Sequence, residues 1–402
     1  MNGLCVDAAK PDLSVVMPCL NEAETLGRCI EEAFSVSSKC LLSVEVIIAD
    51  NGSTDGSQVI ARELGAKVVD IPRRGYGAAI RGGVEVSQAE FVLVGDSDAS
   101  YDFSDAGKFI EALREGNDLV VGNRFQGGIE VGAMPWKHRF IGNPVLSGIG
   151  QLFFNCGVGD FHCGLRAFTR SAYDLLLLNT DGMEFASEMI VRAKLDRLKI
   201  TEVPTKLRKA GRSRTPHLRS WRDGWRHLRL LLVLCPMWLY CLPALAFSAV
   251  GCMGLFALAV QGPIRVGAVT FSINSSLVSG LLVVLGVQFA IQGLSASLLG
   301  EECGVWRKRH FLRFLCPIFS LEVGLALGLS FLLVGFIGIY CVAIVWLATA
   351  FQSLSAAVTL RAVIPSFVSA VVGMQIAFAS FQLHFVKTAS AIGRLKQSQR
   401  NR

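Results

Sequence analysis

The chain has 402 residues, 52% of them hydrophobic, and a formal net charge of +7. Its mean hydropathy of +0.47 is too high for an ordinary soluble protein. The apolar residues are unevenly spread: residues 1–205 have the composition of a soluble α/β domain, whereas long apolar runs dominate from about residue 236 onward. The composition therefore predicts a soluble domain joined to a membrane domain.

The N-terminal region predicts a domain that stays in the cytoplasm. Met1–Asp12 is polar, without the apolar core of a signal peptide. The twelve cysteines are scattered and form no C-x-x-C pair, which favours free thiols over disulfides or a zinc site.

Strands and helices alternate in the first half of the chain. Strands are expected at 13–17, 44–49, 67–70, 91–95 and 118–121. Helices are expected at 22–34, 55–64, 76–86 and 105–115. Repeated βα units predict a mostly parallel, Rossmann-like sheet covered by helices.

Four predicted strands end in polar motifs, at Pro18–Glu22, Asp50–Asp55, Asp96–Asp98 and Gly122–Arg124. In parallel α/β sheets the ligand binds at the carboxyl ends of the strands. The four motifs therefore predict one binding site at this edge of the sheet.

Asp96 and Asp98 follow the buried strand Phe91–Gly95. Residues i and i+2 of an extended segment point the same way, so both carboxylates can face one ligand. Their mutual repulsion is relieved by a hard divalent cation, Mg²⁺ or Mn²⁺, completed by phosphate oxygens. The alternative is a polar turn in which an aspartate caps the next helix.

Residues 206–235 form a basic segment, with nine Lys or Arg residues between Lys206 and Arg229 against the single acid Asp223. Because the segment runs directly into an apolar stretch, it predicts contact with anionic lipid headgroups rather than with nucleic acid.

Four membrane spans are expected, at about 236–260, 272–299, 317–349 and 363–386. The loops at 261–271 and 350–362 each carry one arginine, whereas loop 300–316 and the tail 387–402 are basic. The positive-inside rule then places both termini and the N-terminal domain in the cytoplasm, at the plasma membrane if the source is bacterial.

The motifs together resemble those of the GT-A, family 2 glycosyltransferases. The resemblance rests on Val16–Glu22, Asp50–Gly56 and Asp96–Asp98, in that order and spacing. Four later motifs resemble the polyprenyl-phosphate branch, of which dolichyl-phosphate-mannose synthase is the best-known relative: Gly75–Gly82, Gly122–Arg124, Asp160–Arg166 and the segment Glu202–Arg214. The resemblance implies a GT-A catalytic domain at 1–205, a basic juxtamembrane segment at 206–235, four transmembrane helices at 236–386 and a basic tail at 387–402.

The resemblance assigns the donor side of the site. It implies that the nucleotide is bound by Pro18, Asn21, Glu22, Asp50, Gly77, Arg81 and Asp96. The metal would be held by Asp96 and Asp98. Asn21 and Glu22 could instead begin a helix, Asp50 could form an Asx turn, and Arg81 could be a surface residue. Ser100 replaces a family Gln or acid, which leaves the third metal ligand open between Asp102 and water.

The resemblance also assigns the acceptor side. Asp98, Asp160 and Arg166 would be catalytic, with Asp160 orienting Arg166 or the sugar hydroxyls, and a structural Asp–Arg pair as the alternative. The acceptor phosphate is already anionic at neutral pH, so it needs cations rather than a general base. Arg124, Arg208, Arg212 and Arg214 are the candidate cations, with Arg124, Arg208 and Arg214 assigned to the phosphate. Glu184 and Glu188 would line the sugar pocket, although Glu188 could simply pair with Arg192.

The sequence therefore predicts inverting, metal-dependent transfer of one hexose from a GDP- or UDP-sugar to a polyprenyl phosphate. The expected partners are the nucleotide sugar, the lipid and the membrane, without nucleic acid, and a homo-oligomer is left open. Two alternatives are a processive polysaccharide synthase and a lipid-linked sugar flippase with a degenerate transferase domain. Ser220–Trp225 lacks the Gln-Arg-Trp order of the synthases, and the intact aspartates argue against degeneracy.

Overall fold

The computed structural model describes residues 10–213, 220–303, 305 and 320–400. It divides into two compact units, Met1–Leu234 and Cys235–Arg402. The sequence-based division into four segments stays a prediction; the structure groups the first two of those segments, up to Leu234, in one unit.

The first unit is built on a seven-stranded sheet. Its strands are β1 Leu13–Cys19, β2 Val44–Asp50, β3 Lys67–Asp70, β4 Phe91–Val94, β5 Leu119–Asn123, β6 Arg166–Thr169 and β7 Ile200–Pro204. The order across the sheet is β3-β2-β1-β4-β6-β5-β7. All pairings are parallel except those of β6, which runs antiparallel to both β4 and β5. The prediction of a mostly parallel α/β sheet is confirmed.

The helices of this unit lie in the connections between strands. They are α1 Ala23–Cys40, α2 Ser57–Glu63, α3 Tyr76–Glu85, α4 Ala106–Arg114, α5 Arg124–Gly127, α6 Asn143–Phe154, α7 Arg170–Leu176, α8 Phe185–Leu195 and α9 Ser220–Leu234. Apolar faces such as Leu26, Cys29 and Ile30 of α1 are fully buried. This burial stabilises the unit by roughly 1.5–3 kcal/mol for each large side chain removed from water.

The second unit contains four helices long and apolar enough to cross a membrane. Its helices are α10 Leu242–Gln261, α11 Ile273–Glu302, α12 Leu321–Ala348 and α13 Ala356–Arg400, with a short hairpin of β8 Ile264–Val266 and β9 Val269–Phe271. The four predicted spans are confirmed. Residues 317–319 of the third predicted span and the basic residues of loop 300–316 lie outside the described residues.

Small residues bring α12 and α13 into close contact. A methyl group placed on Gly328 would lie 2.7 Å from the carbonyl oxygen of Gly373, and one on Gly335 would lie 2.6 Å from that of Ser366. Backbones can approach this closely only where side chains are absent or small, which is how membrane helices associate without a hydrophobic driving force.

Candidate active site

The strand order has a switch point between β1 and β4, because the chain proceeds from β1 to β2 on one side and reaches β4 on the other. Ligands of open α/β sheets bind in the crevice outside such a point. Here Ser97 Oγ donates to the Pro18 carbonyl oxygen at 2.8 Å, and Thr25 Oγ1 donates to the Ser97 carbonyl oxygen at 2.8 Å. These bonds bring the segments after β1 and β4 together, as the sequence predicts.

Pro18 and Asn21 shape the turn that follows β1. Pro18 faces Ala49 of β2, but the pairing of β1 with β4 stops at Val16, so the missing N–H interrupts no bond on that side. Asn21 adopts a left-handed conformation with φ of 58°. Its side-chain oxygen accepts a hydrogen bond from Thr54 N at 2.8 Å, which ties this turn to the loop after β2.

Glu22 lies at the start of α1 without capping it through its side chain. The free N–H of Ala23 is instead satisfied by Asp55 Oδ2, at 2.9 Å, from the loop after β2. The Glu22 carboxylate is thereby directed at Arg212, whose Nη1 lies 2.9 Å from Glu22 Oε1. Glu22 is thus the N-cap residue of the helix by position, as the alternative expected, but its side chain makes no capping hydrogen bond.

Asp50 is 1% exposed at the end of β2, and its two carboxylate oxygens differ in their surroundings. Oδ2 accepts hydrogen bonds from Gly52 N, Ser53 N and the Gln58 amide. Oδ1 is buried without a hydrogen-bond partner among the described residues. A buried anionic acceptor is costly to leave unpaired, so Oδ1 is the oxygen suited to a base or ribose donor.

Asp96 and Asp98 lie side by side directly after β4. Burial, followed by the charge of Asp98, raises the pKa of Asp96 to about 6. Asp98 is 7% exposed; its Oδ1 accepts from Ser100 N at 3.0 Å and its Oδ2 lies 3.1 Å from Arg212 Nη2. The pair thus concentrates negative charge at one point of the crevice, which a cation would relieve.

The donor set of this pair fits Mg²⁺ or Mn²⁺. Both side chains offer hard carboxylate oxygens, and no group of three His, Cys, Asp or Glu within the described ranges forms an all-protein metal cage. Mg²⁺ is usually held by one or two carboxylates plus phosphate oxygens and water. Asp102, the candidate third ligand, is engaged elsewhere: it pairs with Arg208 and caps the turn at Ser104.

Arg208 lies near the site but is bound to protein carboxylates. Its guanidinium contacts Glu32 Oε1 at 2.8 Å and the carboxylate of Asp102. Its assignment to the acceptor phosphate stays a prediction, and Arg214 lies outside the described residues.

Asp160 binds Arg124 rather than Arg166, which corrects the predicted pairing. Asp160 is fully buried, and its two oxygens accept from Nε and Nη2 of Arg124 at 2.7 Å each. Glu202 of β7 accepts from the backbone N–H groups of Gly159 and Asp160, at 2.9 and 3.0 Å. Asp160 therefore acts as a positioning group for Arg124, and the alternative of a structural pair between Asp160 and Arg166 is not the pair observed.

Arg166 lies on β6, where it binds backbone carbonyl groups. Its guanidinium donates to Cys163 at 2.8 Å, to Phe161 at 2.7 Å and to Ala186. These bonds hold the loop after α6 against the start of α8. The geometry gives Arg166 a structural role, and the catalytic role assigned to it stays a prediction.

Gly77 and Arg81, on α3, contact the loop before α8. A methyl group on Gly77 would lie 2.4 Å from the Thr180 carbonyl oxygen, so the glycine allows close packing of protein on protein. Arg81 pairs with Asp181, as does Arg73. Gly77 therefore has a packing role in this structure, and the nucleotide roles assigned to Gly77 and Arg81 stay predictions.

Glu184 and Glu188 differ in their contacts. Glu188 accepts from Asn179 N, Thr180 N and Thr180 Oγ1, and it lies 3.8 Å from Arg192 Nε, which makes it a loop-fixing residue. One oxygen of Glu184 is buried without a hydrogen-bond partner among the described residues. Glu184 is therefore the better placed of the two to accept a sugar hydroxyl.

Two histidines pack ring against ring, with His227 buried and His162 partly exposed. The rings of His162 and His227 meet edge to face with centroids 4.5 Å apart, and His227 Nδ1 lies 2.8 Å from Ser187 Oγ. Burial, followed by the charge of Arg166, lowers the pKa of His227 to about 4, although Asp223 opposes this. Burial, followed by His227, holds the pKa of His162 well below its usual value.

We expect this pair to make the first unit less stable in acid. The unfolded chain takes up protons near pH 6.5 that the folded protein refuses until about pH 4, so stability falls as the pH drops through that window. His227 alone should lower the free energy of unfolding by about 2 kcal/mol between pH 7 and pH 5. The free energy of unfolding can be measured by urea unfolding of the full chain in detergent, followed by circular dichroism. Between pH 7 and pH 5 it should fall by about 2 kcal/mol less in His227→Gln than in the wild type. The same slope in both proteins would contradict the prediction.

Several supporting residues escape sequence reasoning. Gln58 holds Asp50, Glu202 holds the Asp160 loop, and the buried Tyr101 hydroxyl accepts from Gly164 N at 2.9 Å. Of these residues, Glu202 carried a sequence signal, because it begins the segment Glu202–Arg214 that resembles a family motif.

The sheet defines a Rossmann-like GT-A domain, and comparisons with known proteins agree. The model of "Glycosyl transferase family 2" matches residues 14–177, and that of "Glycosyltransferase family 2 C-terminal transmembrane region" matches residues 294–387. The low-salt glycan biosynthesis hexosyltransferase Agl6 of Haloferax volcanii is 35% identical over 93% of this chain and 88% of its own length. A dolichyl-phosphate hexose transferase of the same organism is 29% identical over 48% of this chain and 81% of its own.

A solved structure of glucosyl-3-phosphoglycerate synthase from Mycobacterium tuberculosis is more distant. It aligns over 56% of this chain and 80% of its own, with 23% identity and a TM-score of 0.45. The two family models and the long alignment with Agl6 show the family without this structure. This chain belongs to glycosyltransferase family 2 and is a membrane glycosyltransferase.

Proposed function

We propose that this protein transfers a single hexose from a nucleotide diphosphate sugar to a polyprenyl phosphate at the cytoplasmic membrane face, with inversion at the anomeric carbon and with Mg²⁺ or Mn²⁺. The observation that carries the proposal is the Asp96–Asp98 pair at the β1/β4 switch point, in a chain that continues into four apolar helices. The names of the relatives, one a hexosyltransferase and one a dolichyl-phosphate hexose transferase, support it.

The donor would lie across the switch point. Asp50 Oδ1 accepts from the base or ribose, and Glu22 faces the same crevice. Asp96 and Asp98 hold the metal, which when bound screens the negative charge that develops on the leaving diphosphate. Both GDP- and UDP-sugars satisfy this chemistry.

The acceptor supplies its own nucleophile. An oxygen of the lipid phosphate attacks the anomeric carbon as the bond from that carbon to the diphosphate oxygen breaks, so the nucleotide leaves as a diphosphate. Because the phosphate is already ionised, the protein has to position it and screen its charge. Arg124, fixed by Asp160, is the described arginine that we assign to this task; Arg208 and Arg214 are further candidates.

An exposed apolar surface on the first unit supports work at a bilayer. Trp136 and Phe140 are 62% and 67% exposed, and Trp221 and Trp225 of α9 are 93% and 58% exposed. The two segments are joined by a 2.8 Å contact between His138 Nε2 and Ser220 Oγ. Tryptophan among basic residues is typical of the membrane–water interface.

The test is a transfer assay with the full chain in lipid. Labelled UDP- and GDP-hexoses are supplied with polyprenyl phosphate and Mn²⁺, with and without a chelator. A lipid carrying one sugar, formed only without the chelator, is the expected product. A long polymer would indicate a synthase, and the absence of product with every donor would favour a transport module.

Asp50→Asn is expected to raise the KM for the donor by roughly tenfold to a hundredfold, with little change in kcat. The asparagine oxygen can keep the three bonds of Oδ2, so an NH₂ group replaces the acceptor at Oδ1. The contact is remote from the reacting bond, so it contributes uniform binding. Asp70→Asn is the matched control, because exposed Asp70 contacts Gln58 from β3 at 3.5 Å. Equal KM values in the two variants would contradict the assignment of Asp50.

A further inference from the structure

The segment Lys206–Ser213, here called the basic strap, crosses the loop that carries the carboxylate pair. Arg208 N donates to the Ser100 carbonyl oxygen at 2.8 Å, and Gly211 N donates to that of Asp98 at 3.0 Å. At the far end, Ser213 N and Oγ donate to the Glu24 carboxylate at 2.7 and 2.6 Å. The backbone on both sides of Arg212 is therefore anchored.

The Arg212 side chain joins the two halves of the crevice. Nη1 lies 2.9 Å from Glu22 Oε1, after β1, and Nη2 lies 3.1 Å from Asp98 Oδ2, after β4. The third donor, Nε, is buried and has no hydrogen-bond partner among the described residues. In this structure the guanidinium thus places a positive charge beside the carboxylate assigned to the metal.

We propose that Arg212 is a positioning residue that exchanges Asp98 for the donor diphosphate when metal and nucleotide bind. The inference rests on the proposed function. A divalent cation on Asp98 repels a guanidinium 3.1 Å from the same carboxylate, so both cannot keep that place. The anion that arrives with the metal is the diphosphate, and arginine binds phosphate oxygens in a fork of two N–H groups.

Two features favour an exchange over simple displacement. The Nε–H of Arg212 is a donor that neither Glu22 nor Asp98 accepts, so it is available to a phosphate oxygen. The anchors at Gly211 and Ser213 hold the strap, so the side chain can rotate while the backbone stays in place. Arg212 would then keep the carboxylates neutralised before the donor arrives and hold the diphosphate afterwards.

The exchange predicts changes of opposite sign in Arg212→Gln. Titration calorimetry of the full chain in nanodiscs should show Mn²⁺ alone binding roughly fivefold more tightly, because the competing cation is gone. UDP and GDP, titrated at saturating Mn²⁺, should bind roughly tenfold more weakly, because a charged hydrogen-bond donor is lost. A merely structural arginine would not separate the two affinities in this way.

Lys209→Gln is the matched control. It removes the same charge from the basic strap, but at an exposed position. The backbone N–H of Lys209 donates to Glu130 rather than to the loop that carries Asp98. Both affinities should stay at the wild-type values. If Arg212→Gln does not fold, Arg212→Lys answers the question, since it keeps the charge but not the fork: Mn²⁺ affinity should stay close to wild type while diphosphate affinity falls.

Unchanged or weaker Mn²⁺ binding in Arg212→Gln would overturn the inference. Tighter binding of both Mn²⁺ and diphosphate would overturn it too, because Arg212 would then only obstruct the site. A failure of the proposed function would give a different result. Wild type and Asp98→Asn would then have equal Mn²⁺ affinities, whatever the affinity measured for the Arg212 variants.

Discussion

Asp98→Asn is expected to slow sugar transfer by roughly 1000-fold, equivalent to about 4 kcal/mol of transition-state stabilisation. The substitution keeps the oxygen that accepts from Ser100 N at 3.0 Å, so the turn after β4 should keep its shape. It removes the charge that, with Asp96, would hold the metal against the leaving diphosphate. The measurement is the rate of single-sugar lipid formation at saturating donor, together with the unfolding midpoint.

Asp105→Asn is the control for this prediction. Asp105 lies on the same segment, its side chain is 39% exposed, and it pairs only with Lys108 among the contacts described for its side chain, at 3.2 Å. We expect full activity in this variant. If Asp98→Asn also kept its turnover, the metal assignment would be wrong.

The strand-end motifs allowed the candidate site to be placed in the fold from the sequence. Strands end in the same direction in a parallel sheet, so Pro18–Glu22, Asp50 and Asp96–Asp98 had to converge once the βα pattern was recognised. The structure confirms this convergence through Ser97 and Thr25, whose hydroxyls bind across the switch point. The sequence therefore predicts which of these side chains meet, although it does not give the distances between them.

The ion-pair partners of the arginines could not be predicted from the sequence. Asp160 lies six positions before Arg166 in the chain, yet its partner is Arg124, which the antiparallel β6 and the loop before it bring alongside. Arg81 and Arg208 likewise find Asp181 and Asp102 through tertiary packing. The tertiary structure determines which carboxylate lies within reach of a long, flexible arginine side chain. A sequence motif therefore identifies the arginine but not the carboxylate that it contacts.

Asp160→Asn is expected to destabilise the first unit by about 3–5 kcal/mol. Arg124 is 8% exposed, and the substitution removes the carboxylate that pairs with its buried guanidinium. Urea unfolding of the full chain in detergent measures the loss. The control is Asp174→Asn, which breaks the exposed Arg170–Asp174 pair of 3.1 Å and should cost less than about 1 kcal/mol.

A double variant separates the structural role of this pair from its role in the reaction. Replacing both Asp160 and Arg124 by leucine removes both buried charges, so much of the lost stability should return. If Arg124 holds the acceptor phosphate, the double variant stays inactive although it is folded. Recovered transfer together with recovered stability would show that the pair only supports the loop, and the positive charge at the acceptor would then have to come from the basic segment between Lys206 and Arg229.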